Sequence, residues 1–439
     1  MTKNNKEREH LGSILCLGGS QESLPIIHQI INMGYRPIVL DQDEHCAANE
    51  WNIATTPPPV FHQIGDNIRD EMIFIKADCY GFLSCRTALD WAENKEFWKY
   101  DGGFFNLNDL VGVLCCAVDS PLVAAQLAER YHLPTIGIEA AKLGVNKYYQ
   151  WRRLSEAGIV VPPSAVVSPE TNWRGGVEYY DIVKPVDSRG ARGVRFYDQT
   201  NYKEAISESL AWSRSAMVMG QKFIPGRQLS TESVVYDGQV CMTAVFDRNY
   251  DRLEEFRPYI VEDGGEMRQP DKLIKQINKT IERSCIALGW DNLTVKGDLV
   301  LDGHLLYAIE LAPRLSGGYF STHSIPIGMG WDIVGDAVRL ATGAKPTLEF
   351  GREGVYPFTC QRYIFPNRKY VGKRISYIPD FPPDVNFGTW NVRVGDVIQK
   401  VQHHPSRLGQ VICTGDKYEE AVAKAMIAVK ELTEGITLE

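Results

Sequence analysis

Little in this sequence points to a membrane, a disulfide framework or nucleic acid. Its longest apolar run, about Leu110–Val118, is far short of the ~20 residues that a bilayer span needs. Met1–His10 is polar and charged and leads into no apolar stretch, so no signal peptide is expected. Positive charge is in deficit, with 47 Lys plus Arg against 55 Asp plus Glu and a net charge of −8. That balance argues against a nucleic-acid surface, though a local basic site remains compatible with phosphates. The ten cysteines include no C-x-x-C; only Cys115 and Cys116 adjoin. Reduced, mostly buried thiols in a cytoplasmic protein are therefore expected rather than a zinc site. Internal repeats and low-complexity segments are missing too. What is present is an ordinary globular composition, 44% hydrophobic and 23% charged over 439 residues. At ~100–200 residues per domain that length makes two to four domains. A cytoplasmic enzyme is the expectation.

The chain opens on an α/β pattern. Ser13–Leu17 reads as a strand, Gly18-Gly19-Ser20 as a turn, and Ile26, Ile27, Ile30 and Ile31 as the apolar stripe of a helix that Gly34 ends. Arg36–Leu40 is the next strand, closing at Asp41, so the whole is a βαβ unit. The dinucleotide fingerprint G-x-G-x-x-G is absent, because the turn runs Gly18-Gly19-Ser20-Gln21-Glu22-Ser23. Glu22 at a helix N-terminus would also repel a pyrophosphate. The alternation continues through Met72–Lys76, Thr87–Lys95, Gly112–Val118 and the helix Ser120–His132. Asn146 opens another helix, Gly158 ends it, and Val160-Val161-Pro162-Pro163 reads as a linker.

The middle of the chain holds three separated polar segments. Tyr179–Pro185 is a strand that projects Lys184, followed by a small-residue loop, Asp187–Val194, whose backbone N–H groups suit phosphates. Taken alone, such a loop is more often a hairpin connection. Ala216–Ile224 is a further strand before Pro225-Gly226, which by itself suits a hairpin without ligand. The third segment, Lys296–Gly318, has two apolar strands around Asp302-Gly303, acids at Asp298 and Glu310, and Arg314 in a Pro-Arg-x-x-Gly-Gly tail. Two carboxylates on neighbouring strands suit Mg²⁺, which takes few protein ligands and shares the rest with phosphates and water. The geometry is conditional. A two-residue Asp302-Gly303 turn puts the acids on opposite faces. A three-residue turn, Asp302 to His304, or an equivalent bulge puts them on one face as diagonal neighbours. The latter is expected.

In this order the segments resemble the ATP-grasp superfamily over nearly the whole chain. The resemblance implies an α/β and α+β architecture: an N-terminal Rossmann-like parallel domain (residues 1–140), a lid subdomain (141–225), a catalytic subdomain (226–345) and a closing C-terminal subdomain (346–439). Lys147 of Gly-Val-Asn-Lys matches the lysine at the entry of the ATP region. Lys184 matches the lysine on the α/β-phosphates, and Ser188–Gly193, with Arg189 and Gly190, the phosphate-covering loop. Gln221-Lys222-Phe223-Ile224 matches the hinge whose second and fourth backbone positions read adenine, and Gln228 stands where a ribose-binding acid is frequent. Asp298 and Glu310 match the ligands of Mg²⁺ (or Mn²⁺), and Arg314 the arginine at the transferred phosphoryl group. Three positions depart from the pattern: Gln221 and Asp298 each replace a usual Glu, and Ala312 replaces a metal-binding Asn. The Arg407-Leu408-Gly409-Gln410-Val411 segment and the helix within Gly415–Glu434 are similar to the branch of L-amino acid ligases and biotin carboxylase. The Asn-Thr-Arg segment of biotin carboxylase itself is missing.

By this resemblance the activity is carboxylate–amine ligation through an acylphosphate, with ADP and phosphate released and an amino acid among the substrates. Bicarbonate or formate activation is the alternative, and a nucleotide-binding protein without catalysis a third. The partners implied are small carboxylates and amines and a second copy of the chain. Glu232, after the hinge, is a candidate for an ammonium or metal, against a plain surface acid. His323 is a candidate substrate-orienting base, against a structural histidine. Arg257, Glu262 and Arg268 lie in the long connection Asp247–Pro270 and are expected to border the substrate.

Overall fold

The computed structural model describes residues 10–49, 72–93, 106–268, 272–349 and 358–439. Apolar runs that are buried on both faces suit parallel strands flanked by helices, and the N-terminal region is built so. Strands β1 (Ser13–Leu17), β2 (Arg36–Asp41), β3 (Ile73–Lys76) and β4 (Leu110–Cys115) form a parallel sheet in the order β3-β2-β1-β4. Helices α1 (Leu24–Asn32), α2 (Phe82–Glu93) and α3 (Pro121–Arg130) pack around it. The helix expected over Thr87–Lys95 thus begins earlier, and Lys95 lies outside the described residues. All ten cysteines are free thiols, and only Cys241 is exposed.

Helices α4 (Ile138–Val145) and α5 (Lys147–Glu156) lead to a second sheet. It is antiparallel, of strands β5 (Ser164–Val167), β6 (Ile182–Pro185), β7 (Arg195–Phe196) and β8 (Val218–Gln221), in the order β5-β8-β6-β7, with α6 (Tyr202–Ala211) against it. Asn146 begins α5 by accepting from the Tyr148 and Tyr149 N–H groups.

The chain then builds the largest sheet. In sequence come β9 (Arg227–Tyr236), β10 (Gln239–Asn249), α7 (Leu253–Phe256), β11 (Gly264–Arg268), α8 (Ile274–Leu288), β12 (Leu293–Asp302) and β13 (Leu305–Ala312). They are followed by α9 (Ile325–Met329), α10 (Ile333–Ala341), β14 (Phe358–Ile364), β15 (Ile375–Tyr377), β16 (Phe387–Trp390), β17 (Gly409–Gly415), α11 (Tyr418–Gly435) and β18 (Thr437–Leu438). Eight of these strands make one sheet in the order β13-β12-β9-β10-β11-β14-β17-β16. Residues beyond 346 therefore extend the sheet that carries the acids. Helix α8 covers one face through Ile277, Ile281, Cys285 and Leu288 against Leu229, Val295, Leu299 and Leu311. That leaves the other face of β9, β12 and β13 for polar side chains. The N-terminal sheet joins this body through α1, whose Ile26, Ile27 and Ile30 share a core with Ile333, Val334 and Val338 of α10.

Candidate active site

The register of the β12–β13 hairpin decides where the acids point. Asp302 pairs with Leu305 across a Gly303-His304 turn, and the register holds as far as Leu299 opposite Ala308. Continued without change, it would put Glu310 on the face of Leu306 and Ala308, inside the core under α8, where an unpaired carboxylate is costly. A bulge between Asp298 and Leu299 shifts the phase, and Asp298 then stands directly opposite Glu310. The expected three-residue turn is thus absent; the equivalent bulge takes its place, and the acids are direct rather than diagonal partners. Across the sheet, Ser230, Asp298 and Glu310 form one row, and Glu232, Lys296 and Ala312 the next.

This face and the β5–β8 sheet enclose a cleft of about 650 Å³, lined by Lys147, Lys184, Gln221, Lys222, Phe223, Ile224, Gln228, Asp298, Glu310 and Arg314 among others. Lys184, only 5% exposed, donates to Gln221 Oε1 at 2.9 Å, and Gln221 Nε2 donates to Ser164 at 2.9 Å. The neutral amide leaves Lys184 without a counter-charge in contact, and burial lowers its pKa to about 8. Lys147 forms an ion pair of 3.0 Å with Glu310 and donates to the Ser188 carbonyl at 2.7 Å. Asp298 pairs with Lys296, and with Arg248 at 3.2 Å. Burial works against its charge, yet Lys296 and Arg248 outweigh it and hold the carboxyl below its usual range.

At the hinge, the Lys222 N–H donates to Pro163 O and the Phe223 N–H to Asp181. Among the described residues the Lys222 carbonyl and the Ile224 N–H have no partner, an acceptor and a donor of the kind an adenine edge requires. Gln228 folds back onto the Ile224 carbonyl at 3.0 Å. Gly226 is obligatory at the hinge exit: a Cβ there would lie 2.1 Å from the Leu301 carbonyl oxygen.

The 188–193 loop lies over the cleft and is tied on both sides. The Arg189 guanidinium stacks 3.6 Å above the Tyr80 ring, and the His404 N–H donates to Gly190 O at 3.0 Å. Arg314 donates to Asp119 at 2.9 Å and to the Leu315 carbonyl at 2.9 Å. Burial would raise Asp119, but Arg314 brings its carboxyl down to about 2.

Two candidates lie elsewhere. Glu232 is fully buried and lines no part of the cleft. Its carboxylate accepts from the Ser316 N–H at 2.9 Å and from Ser321 Oγ at 2.8 Å, bracing the Leu315–Gly318 loop from beneath. His323 is 2% exposed, packed at 3.7 Å from the Phe387 ring beside Tyr319, and bonded to Thr322. Burial lowers its pKa to about 3, so it is neutral and structural, not a substrate-facing base. Of the three candidates in the 247–270 connection, Glu262 lines the cleft, paired at 2.6 Å with Arg248 of the same connection, which lines it too. Arg257 and Arg268 are exposed, with Arg257 on Glu254 and Arg268 on the Tyr418 ring, and Pro270 lies outside the described residues.

Sequence reasoning missed Asp119, Tyr80, Arg248 and Lys296. A signal existed for the first two. Tyr80 follows β3 and Asp119 follows β4, and ligands of parallel α/β sheets lie beyond the carboxyl ends of the strands.

The metal fit can be judged on the acids themselves. Asp298 and Glu310 face each other on the cleft wall, and buried Asp298 Oδ1 accepts no hydrogen bond, only the Arg248 ion pair. No group of three or more His, Cys, Asp or Glu suited to a metal occurs among the described residues. The pair therefore fits a hard divalent ion that takes its other ligands from phosphates and water.

The chain matches the ATP-grasp domain over residues 145–318 and the L-amino acid ligase C-terminal domain 2 over residues 383–434. No curated protein matches it. Among solved structures, L-amino acid ligase from Bacillus licheniformis is 16% identical with a TM-score of 0.71, over 98% of each chain. Phosphoribosylglycinamide synthetase from Anaerococcus prevotii is 16% identical with a TM-score of 0.66, over 98% of this chain and 99% of that one. The biotin carboxylase domain dimer of Hydrogenobacter thermophilus 2-oxoglutarate carboxylase, in complex with MgADP, ADP and bicarbonate, is 14% identical with a TM-score of 0.65, over 98% and 90%. These likenesses concern the fold. The first domain match runs over the lysines, the hinge, the paired acids and Arg314, and on it residues 145–318 are an ATP-grasp domain, followed by a C-terminal domain of the L-amino acid ligase type.

Proposed function

We propose that this enzyme phosphorylates a carboxylate with ATP and passes the acyl group to an amine, with an amino acid among its substrates and ADP and phosphate as products. The observation that carries the reading is the bulge-set pair Asp298–Glu310 in one cleft with Lys184, Lys147 and Arg314; the L-amino acid ligase C-terminal match supports the branch. Adenine lies against the Lys222 carbonyl and the Ile224 N–H in this reading. Asp298 and Glu310 hold Mg²⁺, which when bound supplies charge neutralisation on the phosphates. Lys184 steadies the α/β-phosphates, and Arg314, oriented by Asp119, faces the phosphoryl group in transfer. The carboxylate oxygen attacks the γ-phosphorus, the β–γ bridge bond breaks towards ADP, and the amine later displaces phosphate from the acyl carbon. The 188–193 loop, tied to Tyr80 and His404, keeps water from that labile intermediate. Glu232 contributes by bracing the loop that follows Arg314.

The test is a panel of amino acids and amines scored by ADP release and product mass, with bicarbonate and formate as separate arms. Donor carboxyl labelled with ¹⁸O is expected to leave one label in phosphate, and hydroxylamine in place of the amine to give a hydroxamate. AMP, or label in AMP, overturns the mechanism; ADP release that requires bicarbonate moves the enzyme to the carboxylases. A homodimer, part of the same proposal, predicts twice the chain mass in sedimentation equilibrium.

A further inference from the structure

Ionic partners are shared unequally around the cleft. Five carboxylates line it, and four of them face a cation: Glu310 has Lys147, Asp298 has Lys296 and Arg248, Glu262 has Arg248, and Asp119 has Arg314. The fifth, Glu22, makes no ion pair with any described residue; its Oε2 accepts only the Gly318 N–H, at 2.9 Å. One lining arginine away from the phosphate-covering loop is the counterpart. Arg407, 8% exposed, meets no carboxylate: Nη2 donates to the Glu262 carbonyl oxygen at 2.9 Å, and Nε has no hydrogen-bond partner. Its guanidinium lies 3.4 Å above the Tyr363 ring.

These two charges belong to one place. Gly318, which holds Glu22, also abuts Tyr363, since a Cβ on Gly318 (φ +66°) would stand 3.2 Å from Tyr363 Oη. Arg407 covers the ring of that same tyrosine. Gln361 locks the site by donating to the Gly318 carbonyl at 2.7 Å and to Gln410 Oε1 at 2.8 Å, and buried Gln410 Nε2 has no partner. Arg314, though near Glu22, is committed to Asp119. A partly buried carboxylate and a buried guanidinium, each without its counter-ion, are both poorly compensated for lost hydration. Burial accordingly raises the pKa of Glu22, only partly offset by the Gly318 N–H and the more distant arginines. A single ligand carrying an ammonium and a carboxylate relieves both.

We infer that Glu22 and Arg407 form a receptor for a free amino acid, Glu22 taking its ammonium and Arg407 its carboxylate. The site rests on the ligase reading only for its part in the reaction, and it names the substrate class: a zwitterion with both ends unblocked. A decarboxylated amine would satisfy Glu22 alone, and an N-acylated acid Arg407 alone.

Binding can be read without turnover. The full chain, saturated with Mg²⁺ and a non-hydrolysable ATP analogue, is titrated with the proteinogenic L-amino acids one at a time and followed by thermal shift and calorimetry. At least one is expected to bind, and its methyl ester and its N-acetyl derivative each to bind about tenfold to a hundredfold more weakly, the range of a lost charge-assisted contact. Glu22→Gln should weaken the free amino acid by a similar factor while changing the N-acetyl derivative little. Arg407→Met should do the same with the ester as the insensitive ligand. Binding of the ATP analogue shows that each variant is folded, and Glu22→Asp, which keeps the charge, should recover part of the affinity. Equal binding of free and N-acetylated forms, wild-type affinity in Glu22→Gln, or no amino acid bound at all overturns the receptor. Amino acid binding with no ADP formed from any acid would instead leave the receptor standing and remove the ligase reading.

Discussion

At the nucleotide end of the cleft, the side chains come in short runs from neighbouring strands: Lys184 and Gln221 from paired β6 and β8, Asp298 and Glu310 from paired β12 and β13. At the other end, Glu22, Gly318, Tyr363 and Arg407 come from four distant stretches of chain and meet only when three parts of the fold close. The electrostatics differ in the same sense. Apart from Lys184 and the loop arginines Arg189 and Arg192, the charges of the nucleotide end are paired within the protein; at the far end Glu22 and Arg407 have no ionic partner among the described residues. In the proposed reading, the first end is thus prepared for a fixed polyphosphate whose charges recur in every turnover. The far end would be completed by the inferred amino acid, and the choice of substrate would then be made there.

The comparison breaks most readily at the acids. Glu310→Gln should fold, by circular dichroism, and lose roughly a hundredfold or more of ADP-forming activity, as when a group opposing transition-state charge is removed. Near-wild-type turnover would mean that the pair with Asp298 is not the metal site. Lys184→Ala is next, with a loss of about 1.5–3 kcal/mol of nucleotide contact, roughly tenfold to hundredfold in ATP affinity; unchanged affinity and rate would remove Lys184 from the phosphates.

The lowered pKa of Lys184, about 8, adds a pH signature. In the folded protein without nucleotide, burial makes the neutral amine easier to form than in a free lysine, whereas a triphosphate favours the ammonium. ATP binding near pH 8 should therefore take up protons, seen by calorimetry in buffers of different ionisation enthalpy, and affinity should fall as pH rises above about 8. In the apo protein the unfolded chain holds the lysine proton between about 8 and the ordinary lysine pKa, so this group makes stability rise with pH across that window. Neither trend should survive Lys184→Met. The smallest effect is expected at the loop. Tyr80→Ala removes a cation–π contact of about 0.5–2 kcal/mol to Arg189, and should raise ATP hydrolysis without product more than it changes ATP affinity. Coupling as tight as wild type would show that Tyr80 does not hold the loop shut.

The strands and turns at the first end were legible because strand periodicity and turn residues act over a few positions, while the roles proposed for their side chains came from the family resemblance. The lysine before Pro185, the hinge before Pro225-Gly226 and the acids around the Asp302-Gly303 turn are all local patterns. Legibility failed where a side chain's direction depends on something farther away. Glu232 shares the sheet face of Asp298 and Glu310, and only the Ser316–Ser321 loop laid over it turns it from a cleft residue into a brace. His323 follows a glycine pair that does border the cleft, yet Phe387, from beyond residue 346, takes it into an aromatic stack.

The sequence by itself determined the α/β start, the absence of a dinucleotide fingerprint and the order of the segments that carry the family resemblance, since each follows from residue type and spacing along a few turns of chain. The tertiary structure alone decided three things. The bulge beside Leu299 brought the acids opposite each other, because the core under α8 excludes a carboxylate. The parallel sheet's carboxyl edge brought Tyr80 and Asp119 to the cleft. And Glu22, which on the sequence reads only as a residue hostile to phosphate, came to face Arg407 across Gly318 and Tyr363, because contacts between residues hundreds of positions apart are set by the packing of whole layers and leave no local periodicity to read.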